Sequence, residues 1–172
     1  GCQKTLIEDS FKCSEDQAKE NYEGNKAFTG AIADNVTEYV DKEGKAWAVV
    51  NKKFYNAWGK GNFDRAACYT AYYYAYAIAN ATYDKATHCA CDQACQAKAD
   101  SDRATAHSKA LNTWEACIPA ANKLQSDTEI AAQAEYNAAE AAAYLDKEAK
   151  NKAAYDIYDA RNKAATIVYN AC

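Results

Sequence analysis

The last 44 residues set out their apolar and polar positions with a period of eleven. In register the units are Glu129 to Ala139 (EIAAQAEYNAA), Glu140 to Lys150 (EAAAYLDKEAK), Asn151 to Arg161 (NKAAYDIYDAR) and Asn162 to Cys172 (NKAATIVYNAC). Positions 3, 4 and 10 are alanine in every copy, position 8 is Tyr136, Lys147, Tyr158 and Tyr169, and positions 1 and 9 are always polar. Eleven residues over three turns is about 3.67 per turn, so each column keeps one face without left-handed supercoiling. The pattern predicts a continuous helix from about Asp127 to Val168, with an alanine seam, a tyrosine edge and a polar back. The packed seam is expected along columns 3, 7 and 10, through Ala131, Ala138, Ala142, Ala149, Ala153, Ile157, Ala160, Ala164 and Val168. Glu135 and Asp146 interrupt it in its first half.

Helical spacing continues upstream, punctuated by breakers. Ser14-Glu15-Asp16-Gln17 reads as a capping box opening a short helix that ends near Gly24. Phe28, Ile32, Val36 and Val40 repeat before Gly44, and Trp47, Val50, Phe54 and Trp58 before Gly59 and Gly61. Asp64 can cap a helix running to about Thr87, and Asp92 to Ala116 forms another. The only proline, Pro119, should break the chain, and Ser126-Asp127-Thr128-Glu129 is a second capping box. The expectation is an all-α single domain over 1–172, an elongated bundle of five or six helices. It divides into shorter N-terminal helices (1–62), two long helices joined by a cysteine cluster (63–118) and the repeat helix (127–172).

The most unusual local composition is Tyr69-Thr70-Ala71-Tyr72-Tyr73-Tyr74-Ala75-Tyr76. At about 100° per residue, Tyr69, Tyr72, Tyr73, Tyr76 and Tyr83 form one stripe, while Ala71, Ala75, Ile78 and Thr82 lie roughly opposite. Either face can be the core. An exposed tyrosine ladder is a recognition surface, because each ring brings a large amphipathic area with few rotors.

Composition changes the picture by showing that the core is thin. Alanine makes up roughly a quarter of the chain, with 14 Tyr and 3 Trp in place of large aliphatics. A small-residue core buries little apolar area at about 25 cal/mol per Å², so covalent staples are expected. Eight cysteines supply them: Cys2, Cys13, Cys68, Cys89, Cys91, Cys95, Cys117 and Cys172. The even count fits four disulfides of open connectivity. Cys91 and Cys95 share a helix face. Cys95 and Cys117 are too far apart along one helix to bond, so each is expected to reach a different neighbouring element. Cys172 should anchor the terminal helix.

Asn35-Val36-Thr37 and Asn80-Ala81-Thr82 are N-glycosylation sequons, with Asn35 nearer a core face. With the cysteines they indicate an oxidising, secretory route, and the absence of Met suits a chain that has lost its signal peptide. Gly1-Cys2-Gln3-Lys4-Thr5 partly matches an N-myristoylation pattern, but eight paired cysteines are out of place on a cytosolic membrane face. No hydrophobic run approaches the ~20 residues of a transmembrane helix. A net charge of −4 with interleaved signs argues against nucleic-acid binding.

The densest chemical motif is His88-Cys89-Ala90-Cys91-Asp92-Gln93-Ala94-Cys95. Three thiolates and an imidazole suit zinc or copper; a knot of disulfides fits the secreted context better, so no metal or cofactor is expected. His88 and His107 are the only histidines, and no catalytic or nucleotide-binding fingerprint is present. The repeat is similar, over its 44 residues only, to the Ala-rich 11-residue repeats of helical fish antifreeze and desiccation-stress proteins. The threonine column of the antifreeze type is missing, with Thr166 alone in the repeat. The expected function is therefore non-catalytic: a secreted, alanine- and tyrosine-rich structural glycoprotein that self-associates. Its contact candidates are Tyr69, Tyr72, Tyr73, Tyr76 and Tyr83, with Tyr136, Tyr158 and Tyr169 along the repeat. The alternatives are an extracellular carrier of an apolar or aromatic, pigment-like small molecule and an ice- or stress-interacting protein.

Overall fold

The computed structural model describes residues 2–88 and 91–171, with side chains from residue 8 onward. The chain is all-α, with two helices instead of the expected five or six: α1, Cys2–Thr87, and α2, Gln93–Ala171. No strand occurs among the described residues.

Each expected break is absorbed. Gly24, Gly30, Gly44, Gly59 and Gly61 all lie inside α1, where each costs about 1 kcal/mol relative to alanine. That is too little to end a helix paired along its length. Ser14 and Ser126 do not cap: the Ser14 hydroxyl donates to the Ser10 carbonyl within continuous helix, and Ser126 lies inside α2. Asp64 pairs with Lys60 one turn earlier instead of starting a helix. Pro119 lies inside α2 on an exposed face, where the Glu115 carbonyl that loses its partner can meet water. The repeat region is helical from Glu129 to Ala171, as the period requires, but its helix starts at Gln93.

The expected junction between two long helices at the cysteine cluster is present. Asp92 caps α2: its carboxylate accepts the Cys95 N–H at 2.8 Å and its carbonyl accepts the Gln96 N–H at 2.9 Å.

The eleven-residue period runs through both helices, beyond the last four units. In α2 Ala99, Ala110, Ala121, Ala132 and Ala143 are buried, with half-buried Ala154 and Ala165 extending the column. In α1 the matching column is Cys13, Gly24, Asn35, Ala46, Ala57, Cys68 and Ala79. Only small residues occupy it, which lets the two backbones approach closely. A Cβ added at Gly61 would lie 3.0 Å from Cδ and 3.2 Å from Cβ of Gln125 on α2.

The packed seam of α2 is therefore repeat column 4, flanked by column 8. The expected seam through columns 3, 7 and 10 is wrong: Ala131, Ala138, Ala142, Ala149, Ala153, Ile157, Ala160, Ala164 and Val168 are all exposed, Ile157 at 70%. Alanine occupies columns 3, 4 and 10 alike, so residue type alone did not mark the buried one.

Two compact units make up the chain. A terminal unit comprises residues up to Ala48 and from Tyr136 on, and a central unit spans Val49–Glu135. In each, a segment of α1 runs antiparallel to a segment of α2, as pairs such as Asn35 with Asn151 and Cys68 with Cys117 require.

Candidate functional site

In the terminal unit the seam is aromatic and polar. Phe28 stacks on Tyr158 at 5.1 Å and meets Tyr155 edge-on at 6.3 Å, while Trp47 meets Tyr136 at 5.6 Å. Burial and neighbouring Glu140 and Glu43 push the Tyr136 phenol above its ordinary pKa. The Lys147 ammonium lies over the rings of Tyr39 and Tyr144, 4.8 and 4.3 Å from their centroids.

One flank of this unit carries a four-charge cluster. Lys42 contacts Glu38 and Asp146 at 2.7 Å each, and Lys150 contacts the same two carboxylates at 2.6 and 3.0 Å. The hydrogen bonds from Lys150 and Lys42 hold Glu38 below the usual carboxylate range, and those from Lys42 and Lys150 do the same for Asp146. Reciprocally, both ammonium groups are raised. Arg161 reaches Glu20 at 2.8 Å, and the Asn35 amide donates to Asn151 Oδ1 at 3.0 Å.

The central unit has an apolar and covalent seam. Val50 is 2% exposed, Ala57, Cys68 and Ala79 are buried beside Ala99, Ala110, Ala121 and Ala132, and a disulfide joins Cys68 to Cys117. Around the disulfide, Trp114 lies against Tyr69 and Tyr72, at 5.7 and 6.0 Å. His107 stacks on Tyr76 at 3.8 Å, and its Nε2 is 3.0 Å from Asn80 Oδ1. The Arg103 guanidinium lies 3.8 Å over the Tyr83 ring.

The expected tyrosine stripe is thus divided. Tyr72 and Tyr83 are half-buried in the seam of the central unit, and Tyr136 and Tyr158 in that of the terminal unit. Their rings contact the partner helix, as those of Tyr69 and Tyr76 also do. Tyr69, Tyr73, Tyr76 and Tyr169 are exposed. The small-residue face is divided too: Ala79 is buried and Ala75 half-buried, whereas Ala71, Ile78 and Thr82 are exposed. The boundary between the two stripes meets α2, because small residues must sit at the line of closest approach while rings pack beside it.

Of the cysteines, Cys91 bonds Cys95, Cys68 bonds Cys117, and Cys13 is also in a disulfide. Cys95 therefore closes on the adjoining turn and not on a separate element, contrary to expectation. The side chains of Cys2, Cys89 and Cys172 lie outside the described residues. Among the described residues no three His, Cys, Asp or Glu side chains converge as a metal site, and no helix is long and apolar enough to cross a membrane.

The exposed surface is where the structure adds most. On α1 it carries Phe11, Tyr22, Val36, Val40, Tyr55, Trp58 and Phe63, and on α2 Ile130, Leu145, Ile157, Ile167 and Val168. The sequence marked Val36, Val40 and Trp58 only as members of helical repeats; all three are exposed. Comparison with known protein families, curated proteins and solved structures gives no significant match.

Proposed function

We propose that this protein works by association with copies of itself, as a secreted, disulfide-stapled structural glycoprotein without catalysis. The observation that carries this reading is an inversion of the usual distribution of apolar side chains. The large aromatic and aliphatic residues outside the seam are mostly exposed, while the fully buried hydrophobic set consists of alanines, one valine and one cysteine. Scattered exposed apolar residues are ordinary, but contiguous rows of them mark contact surfaces. Aromatic enrichment of that surface fits the same role.

The covalent links within the central unit support an oxidising, extracellular setting. Of the two sequons, Asn80 is the proposed glycan site, because its amide nitrogen is not used in the contact with His107. The Asn35 amide nitrogen bonds Asn151 within the seam, and a glycan there would separate the helices.

The carrier reading takes second place. A recess of about 240 Å³ in the terminal unit, lined in part by Gln17, Arg161, Val168 and Tyr169, falls below the roughly 300–1,000 Å³ of typical ligand pockets, and the larger hollow of about 880 Å³ over Ser101, Thr105, Ser108 and Asn112 lies on open helix surface with no aromatic lining. Sedimentation of native-source protein across a hundredfold concentration range tests the proposal, with intact mass reporting glycan and ligand. Growth in size with concentration is expected. A chain that stays monomeric and carries a small-molecule mass would replace self-association with transport.

A further inference from the structure

We infer that Cys91–Cys95 is a thiol–disulfide exchange site: a bond that a low-molecular-weight thiol opens by attack at Cys91, and that closes again, while the central unit stays folded. This site does not depend on whether copies of the chain associate.

The bond ties together one short piece of chain and joins no two elements. Cys91 precedes α2 and Cys95 lies in its first turn, at a sequence separation of 4, with their Cα atoms 5.4 Å apart. The meeting of α1 and α2 at this end is secured by other groups. The Gln96 amide donates to the Tyr83 hydroxyl, and the Arg103 guanidinium, 3.2 Å from Asp100, lies over the Tyr83 ring at 3.8 Å. The Thr87 hydroxyl donates to the Tyr83 carbonyl at 3.0 Å and closes the last turn of α1. Asp92 caps α2 through the N–H groups of Cys95 and Gln96. None of these contacts involves a sulfur atom, so cleavage of the bond leaves them in place. Cys68–Cys117 is the opposite case: it links the two helices across a separation of 49, and Cys68 is only 4% exposed.

Access decides which bond reacts, because the attacking thiolate must reach a sulfur, and exposed disulfides are the labile ones. Cys91 and Cys95 are half-buried beside exposed Asp92, Gln93 and Ala94. Their two sulfurs are not equivalent. Cys95 Sγ lies 3.8 Å from the Ala86 carbonyl oxygen at the end of α1, which covers that side of it. Cys91 stands outside the helix and is the sulfur attacked; Cys95 is the sulfur that leaves. The free N–H groups in the first turn of α2 favour the negative charge that forms on Cys95, with the Asp92 carboxylate opposing it in part.

In the first step a thiolate R–S⁻ bonds to Cys91 Sγ and the Cys91–Cys95 bond breaks. Its electron pair leaves on Cys95 Sγ, which takes a proton from water and can then donate to the Ala86 carbonyl. A second thiolate attacking the R sulfur releases R–S–S–R and the Cys91 thiolate, so two thiols are oxidised and one protein disulfide is reduced. Return of the Cys95 thiolate to Cys91 instead expels R–S⁻ and restores the original bond. The short loop makes that return easy.

The test exposes the native full-length protein, with its disulfides formed, to reduced glutathione for increasing times. Acid quenching, alkylation and peptide mapping then report each cysteine. Cys91 and Cys95 should open about tenfold or more faster than Cys68 and Cys117, with the glutathione mass on Cys91. Helical circular dichroism, and hydrogen exchange elsewhere in the central unit, should stay unchanged. A double variant, Cys91→Ala with Cys95→Ala, should keep the same helical signal and lose the fast phase. Opening of Cys68–Cys117 at the same rate or earlier would overturn the inference. So would glutathione on Cys95 instead of Cys91, or a fall in helical signal either as the bond opens or in the double variant.

Discussion

The two units share the eleven-residue frame, with a disulfide-bonded cysteine in the α1 column of each, and differ in the chemistry that flanks it. In the central unit the small-residue column is Ala57, Cys68 and Ala79 against Ala99, Ala110, Ala121 and Ala132, reinforced by the Cys68–Cys117 bond. In the terminal unit the same column of α1 offers disulfide-bonded Cys13, Gly24 and Asn35, and the flanks carry Arg161, the four-charge cluster and stacked rings. An alanine seam sets how near the helices lie but does little to select register, since neighbouring alanine columns look alike. The paired asparagines and the alternating charges match only one alignment, so they supply the specificity that alanines lack. A disulfide does the same covalently. The difference teaches that a repeat of small residues needs a second, non-repeating device in each stretch to fix its alignment.

The largest effect should come from removing the Cys68–Cys117 bond. It closes 49 residues, and the loop-entropy model puts its contribution at about 4 kcal/mol. Cys91–Cys95 closes only four, for which the same model gives about 2 kcal/mol. Cys68→Ala with Cys117→Ala should therefore raise hydrogen exchange throughout peptides of 49–135 while leaving the terminal unit nearly unchanged. Equal acceleration in both units would mean that they do not differ in what secures them.

A smaller and sign-changing effect is expected from two neighbouring glycines. Nothing lies within 4 Å of a Cβ placed at Gly59, so Gly59→Ala should stabilise the central unit by about 1 kcal/mol through helix propensity. At Gly61 the new methyl would press on Gln125, which Arg65 holds at 2.9 Å and which donates to Glu129 at 2.8 Å. Overpacking of about 1–3 kcal/mol then outweighs the gain, and Gly61→Ala should lower the thermal midpoint that Gly59→Ala raises. Two shifts of the same sign would show that close approach at Gly61 does not matter.

Much of this was readable in the chain, and the failures have identifiable causes. The helical class and the continuity of the repeat followed from propensity and period, and the Asp92 cap was there to be read while the expected caps Ser14, Asp64 and Ser126 all lie inside helices. Seven alanines at intervals of eleven, from Ala99 to Ala165, were also there to be read. The matching column of α1 hides because Cys13, Gly24, Asn35 and Ala46 share only small size. Breakers misled for an energetic reason: Gly44, Gly59 and Pro119 each oppose helix locally, while pairing along α1 and α2 favours it over many turns. The tyrosine stripe could not be assigned to core or surface from periodicity alone. What decides Tyr72 inward and Tyr73 outward is the partner helix, through Trp114.

The smallest effect is electrostatic and belongs to the terminal unit. Glu38 and Asp146 are held below the usual carboxylate range, so their contribution to stability is complete above about pH 4 and is lost as pH falls through their lower folded values. Lys42 and Lys150 are raised, so their contribution is complete below about pH 10 and is lost as pH rises through the higher folded values. Between these limits the cluster should be insensitive to pH. Each of the four side chains is roughly two-fifths exposed, so salt screens the cluster and the change is modest. Acidification below pH 4 should accelerate exchange in peptides around residues 38–42 and 146–150, and 1 M salt at neutral pH should reproduce part of it. Lys150→Met should weaken the acid step without moving exchange around Cys68. If the acid step in the terminal unit persists unaltered in that variant, the cluster is not what holds the alignment there, and the disulfide at Cys13, the Asn35–Asn151 pair and the stacked rings remain as the devices that do.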